Sequence, residues 1–103
     1  MTPEEIRRRI KAAVELHAPG ATVMLYGSRA RGDAGPESDW DILIIVPDGE
    51  KEAGRAAQFA LYDLENEILE VLSVFLVTQS QWDSPISRGS PFYDEVSDEA
   101  VLL

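Results

Sequence analysis

The stretch Tyr26–Val46, "YGSRARGDAGPESDWDILIIV", sets a glycine-serine pair and two arginines ahead of two aspartates that open a run of Leu, Ile and Val. A glycine directly after a β-prone run admits a backbone angle that other residues avoid, and lets a bulky ligand come close to the main chain. Ser28 adds a hydroxyl donor. If Ser28 to Arg31 open a short helix, its free N–H groups and positive end converge on one point, which suits a phosphate. Asp39 and Asp41 stand two apart, so on a strand they share a face with backbones roughly 6 to 7 Å apart, and Trp40 points the other way, into the core. Carboxylates that close repel, and each raises the proton affinity of the other unless a cation lies between them. Such a pair of hard oxygen ligands suits Mg²⁺, which completes its shell with water and substrate phosphates. On spacing alone a plainer reading stays open: an ordinary turn, solvated arginines, Asp39 closing a turn with Ser38 and Asp41 capping a strand edge.

The flanking sequence supplies the frame. Thr2-Pro3-Glu4-Glu5 reads as a helix start, with Thr2 as N-cap, Pro3 at the first helical position and Glu5 completing a capping box. The helix runs to about His17, burying Ile6, Ile10, Ala13 and Val14, with Arg7, Arg8, Arg9 and Lys11 mostly facing water. Thr22–Tyr26 and Asp41–Val46 read as central strands, the second stopped by Pro47-Asp48-Gly49. A helical pattern returns from Lys51 to about Glu70, with Ala57, Leu61, Leu64 and Ile68 on one face, and Val71–Val77 follows as a third strand. Residues 78–90 read as loop, and Pro91 to about Ala100 as a short last helix whose Phe92 and Tyr93 have little to bury and could face a partner. Phe59, Phe75 and Trp82 are expected in the core or at its edge, and His17 at a helix end. The order implies an α/β (α+β) fold, a small mixed sheet flanked by helices.

Length and charge bound the function. At 103 residues and 45% hydrophobic, one domain spanning 1–103 is expected. There is no cysteine, hence no disulfide or thiolate metal site, and a cytoplasmic setting fits. No signal-length apolar stretch leads the chain, and Ile42–Pro47 falls far short of the roughly 20 residues of a membrane span. Residues 1–32 carry six Arg or Lys against three Glu, whereas residues 33–103 carry three basic against sixteen acidic residues. The net charge of −10 argues against broad DNA binding, which depends on neutralising phosphates. A local anionic ligand at the arginines, or a basic partner on the acidic half, remains compatible.

Gly27-Ser28, then ten residues, then Asp39-Trp40-Asp41 at the head of an apolar strand, resembles the signature of the DNA polymerase β-like nucleotidyltransferase superfamily, and in particular its minimal nucleotidyltransferases. Arg29-Ala30-Arg31-Gly32 and Ser38-Asp39 match the usual filling of that gap. The resemblance implies the palm-like fold of the superfamily and a mechanism of positioning and charge neutralisation. Gly27 and Ser28 would hold the β and γ phosphates of a nucleoside triphosphate such as ATP. Asp39 and Asp41 would be the catalytic, Mg²⁺-binding pair, with one ion bridging the phosphates and a second activating the acceptor hydroxyl. Arg29 or Arg31 could reach a phosphate.

The family places a third carboxylate on the strand after the long helix, and in "LEVLSVFLV", Leu69–Val77, the aligned position holds Ser73. Glu70 is the nearest acid, but out of phase with Ser73, so only a bulge would bring it to the same side. Nucleotide binding tolerates that loss better than turnover does. The resemblance further implies a helical partner of the HEPN type, the two acting as antitoxin and toxin, with AMP transferred to a tyrosine of the partner. A partner or a second copy of the chain would complete the site. Two alternatives stand beside it: a degenerate domain acting by binding alone, and an acidic interaction module in which these residues are structural.

Overall fold

Why the chain folds as it does starts at Thr2, whose hydroxyl accepts the Glu5 N–H at 3.2 Å and starts helix α1, Pro3–His17. The computed structural model describes residues 1–103. After α1 come β1 (Thr22–Tyr26), α2 (Ser28–Arg31), β2 (Trp40–Val46), α3 (Lys51–Ile68), β3 (Leu72–Thr78), α4 (Gln79–Asp83), α5 (Pro85–Arg88), α6 (Pro91–Glu99) and β4 (Val101–Leu102). The strands form one sheet in the order β3-β2-β1-β4. β1 is antiparallel to β2 and to β4, while β2 and β3 run parallel, joined by α3. The mixed sheet flanked by helices is the one expected, with Thr22–Tyr26 and the aspartate-led strand at its centre.

β2 is apolar on both faces because both are covered. Trp40, Ile42, Ile44 and Val46 pack with Ile6, Ile10 and Val14 of α1 and Ala57, Leu61 and Leu64 of α3 in the main core. Leu43 and Ile45 face the other way, against Trp82 and Val96. α3 can lie close to the sheet because Gly54 presents no side chain: a Cβ there would meet Leu76 Cδ1 at 2.6 Å and Val46 Cγ1 at 3.0 Å. No helix is long and apolar enough to cross a membrane.

Several expectations are corrected. Residues 78–90 hold two short helices, α4 and α5, instead of a loop. Thr78 and Gln81 form a full capping box, and the Ser84 and Ser90 hydroxyls cap α5 and α6 by accepting the Ser87 and Tyr93 N–H groups. The serines that read as loop residues are helix caps, and Trp82, buried against Leu43 and Ile45, holds α4 down. α3 stops at Ile68, where Leu69 takes the left-handed conformation at φ 56° and turns the chain into β3. Phe59 is 68% exposed, off the apolar stripe of α3. Arg7 does not face water: its Nη2 donates to the Arg29 carbonyl at 3.2 Å. Phe92 and Tyr93 pack on Trp82, and Phe92 also on Tyr26 and Phe75, so the last helix is anchored by them.

Candidate functional site

At the junction of β1 and α2 the chain needs a glycine twice over. Gly27 has φ 73° and ψ −158°, a conformation essentially reserved for glycine, and a Cβ there would fall 2.2 Å from Asp41 Oδ2. The Asp41 carboxylate therefore lies directly against the Gly27 main chain. Strand pairing explains why: Tyr26 is the register partner of Asp41 across the antiparallel pair. Asp39, exposed, sits immediately before β2, and Trp40 between the two acids is fully buried on the opposite side.

The charge balance of this corner is unfavourable. The proton affinity of Asp41 is raised above the ordinary carboxylate range, first by burial, then by Asp39 and, more weakly, Glu99, with Arg31 opposing. Tyr26 beside it is pushed up to about 12, first by burial, then by Asp41 and Glu95. A pair of hard oxygen donors that gains from added positive charge is what a divalent cation such as Mg²⁺ requires. The pair is not a complete cage, since no three His, Asp or Glu side chains converge in the molecule. The remaining oxygens of an ion there would have to come from water and from a bound phosphate. The donor set thus suits one ion that takes the rest of its shell from outside the protein.

The two arginines separate. Arg31 points to the Gly27 side of the corner, where its Nη1 donates to Glu99 Oε1 at 3.2 Å and Oε2 at 3.1 Å, while its Nε donates to Asp33 at 3.2 Å. Arg29 turns inward. Its Nη2 donates to the Ser38 carbonyl and to Glu70 Oε1, both at 3.1 Å, and its guanidinium stacks 4.6 Å from the Trp40 ring. Glu70 Oε1 also accepts the Trp40 indole N–H at 2.8 Å. Arg29 thus ties α2 to the loop before Asp39 and to the β3 entrance, and is not among the groups brought together at the Asp41 corner.

The third-carboxylate question is settled in geometry by the parallel ladder. Asp41 pairs with Ser73, and the register runs without a bulge from Trp40–Leu72 to Val46–Thr78. Glu70, before β3, is committed to Arg29 and Trp40, so it cannot replace a carboxylate at Ser73. Glu99 joins the corner from the far end of the chain: 72 residues from Gly27 in sequence, it accepts the Gly27 N–H at 3.1 Å. Nothing local in the sequence marks that pairing. Farther along the same sheet face, an apolar hollow of about 540 Å³ between β3 and α4–α6, walled by Phe75, Trp82 and Phe92, contains none of these residues.

Against this geometry, the profile of the nucleotidyltransferase domain matches residues 4–97. The chain belongs to that family. A solved structure provisionally described as a minimal nucleotidyltransferase is 27% identical, with a TM-score of 0.64, covering 100% of this chain and 97% of the other. A toxin-antitoxin structure with AMP-PNP is 18% identical, with a TM-score of 0.59, covering 92% of this chain and 69% of the other, a likeness of fold. No curated protein matches. The mixed sheet with its flanking helices is therefore the nucleotidyltransferase fold, and in this nucleotidyltransferase domain Gly27, Ser28, Asp39 and Asp41 stand on the β1–α2 turn and the head of β2. Glu99 and β4 lie beyond the matched residues.

Proposed function

We propose that this single minimal domain binds a nucleoside triphosphate, ATP by family habit, together with Mg²⁺, and transfers AMP to a partner protein as the antitoxin of a HEPN-type toxin. The observation that carries the reading is the Asp41 carboxylate pressed on the Gly27 main chain with Asp39 beside it, in a corner that gains from positive charge. Asp39 and Asp41 would hold the ion. When bound it neutralises the triphosphate and makes the α phosphorus easier to attack. The chain's own contribution is placement. The Gly27 N–H, the Ser28 hydroxyl and the first amides of α2 would supply donors to phosphate oxygens, and Arg31 would add its Nη1. Arg29 acts as a positioning residue, holding α2 and Trp40, and through Trp40 the spacing of the two acids. The toxin-antitoxin likeness supports a partner, which would present the acceptor hydroxyl: its oxygen would bond to the α phosphorus as the bond from that phosphorus to the β-phosphate oxygen breaks, and pyrophosphate would leave.

A second reading is favoured by one observation. Ser73 stands opposite Asp41 with Glu70 locked elsewhere, so a second, hydroxyl-activating ion lacks its usual acid. On this reading the domain binds nucleotide and partner without turnover.

Calorimetry of ATP with and without Mg²⁺ tests the shared part. Metal-dependent binding by the parent and its loss in Asp39→Asn plus Asp41→Asn are expected; absence of binding by the parent leaves only an acidic interaction module. Labelled ATP incubated with the chain and a helical partner then separates the two readings. Label on the partner establishes transfer, and binding without label establishes the second.

A further inference from the structure

Glu99 occupies the place where the proposed function puts a phosphate. Its carboxylate accepts the Gly27 N–H through Oε1 and receives Arg31 Nη1 on both oxygens. A main-chain amide and a guanidinium on one anion are the donors that recognise a phosphate oxygen. Its proton affinity is lowered, first by Arg31 and also by the Gly27 N–H, so it stays charged at neutral pH. The contact is not explained by charge balance in the corner as a whole, because Glu99 adds a negative charge near Asp41.

We propose that Glu99 is a built-in anion that closes the phosphate cradle, and that a triphosphate enters only when Glu99 leaves. The inference rests on the reading of Gly27 and Arg31 as phosphate donors. The fold supplies the means of release. α6 is fixed upstream, with Val96 buried and Phe92 edge-on to Tyr26 at 5.3 Å, so the helix stays in place. Glu99 is its last residue, and beyond it the chain is held by the pairs Met24–Leu102 and Leu25–Val101, by the Leu103 N–H on the Val23 carbonyl at 3.0 Å, and by Ala100 and Leu103, each partly buried at the edge of one core cluster. Val101 and Leu102 are 38% and 70% exposed, so lifting this strand uncovers chiefly the partly buried Ala100 and Leu103 and no fully buried residue. The moving unit is the end of α6 beyond Val96, together with β4. Arg31 keeps Asp33 as a partner when Glu99 swings out and remains free to meet the incoming anion with Nη1.

A closed state favoured about ten to one lowers the apparent affinity for an anion about tenfold, and removing the carboxylate restores it. The test is calorimetric titration of the full chain, wild type, Glu99→Gln and Glu99→Ala, with Mg-ATP and with tripolyphosphate. The isosteric Gln variant guards against local disorder, and circular dichroism with a thermal melt checks the fold of each. We expect Glu99→Ala to bind both probes about tenfold tighter than wild type, Glu99→Gln to fall between, and the Gly27 amide resonance of wild type to shift on adding either probe. Equal or weaker binding by both variants, while wild type binds, overturns the closure and leaves the nucleotide reading intact. If neither wild type nor variants bind, the phosphate cradle itself is wrong, and the closure falls with it.

Discussion

Gly27 is where backbone and electrostatics meet in one residue. Its conformation alone costs a substituted residue about 1–3 kcal/mol, and the Asp41 oxygen standing where a Cβ would go adds a direct clash. Gly27→Ala is therefore expected to lower unfolding stability in urea by more than the about 1–3 kcal/mol of the conformation alone, and to abolish metal-dependent nucleotide binding even at temperatures where the variant is folded. Retained binding with unchanged stability would mean that Asp41 does not need the bare main chain beside it. This residue, Ser28 and the two acids were legible in the sequence because their relation is local: a turn after a strand, and two side chains on one face. Arg29 was not. Its partner Glu70 lies 41 residues on, and reaches it only because Leu69 adopts a left-handed turn that a leucine gives no warning of. Glu99 is a harder case still, since its meeting with Gly27 depends on the whole path through α3–α6.

The elements themselves followed from periodicity wherever one face is buried: α1, α3 and the three long strands came out at nearly their observed bounds. What failed was short and cap-rich. α4 and α5 are four or five residues each, too short for a period to show, and their caps use the same Thr and Ser residues that mark loops. β4 has two residues and exists only through β1. The parallel pairing of β2 with β3 makes a sharp prediction, because it fixes Ser73 opposite Asp41 on an exposed face. Ser73→Asp should place a third acid beside the pair. In metal-free buffer the like charges should cost about 0.5–1 kcal/mol of stability. Adding Mg²⁺ should raise the melting temperature of the variant more than that of wild type, since three carboxylates hold the ion better than two. A melting temperature of the variant that ignores Mg²⁺ would show that residue 73 does not face the site.

At the scale of the whole molecule, a charge of −10 on 103 residues works against the compact state, and the individual acids respond to it in opposite directions. Asp41 binds its proton more tightly in the folded chain than its ordinary value of 3.8 implies, so folding takes up a proton, and its contribution to stability grows as pH falls through the raised value toward 3.8. Asp48 and Glu99 have lowered affinities, Asp48 through the Ser80 hydroxyl and N–H, Glu99 through Arg31. Their contribution is present above their ordinary values of 3.8 and 4.5 and is lost as pH falls through the depressed ones. Protonation of other surface acids also relieves self-repulsion on the way down. The melting temperature in metal-free buffer should therefore rise as pH is lowered through the raised value of Asp41 toward 3.8, and drop once pH falls through the depressed values of Asp48 and Glu99. Asp41→Asn should start higher at neutral pH and lose part of the acid-side rise, and saturating Mg²⁺ should flatten the wild-type curve in the same range, because a cation relieves at pH 7 what a proton relieves lower down. A wild-type optimum at or above neutrality, or an Asp41→Asn curve that superimposes on it, would show that this corner stores no such unfavourable charge, and would remove the physical reason for a metal ion to bind there.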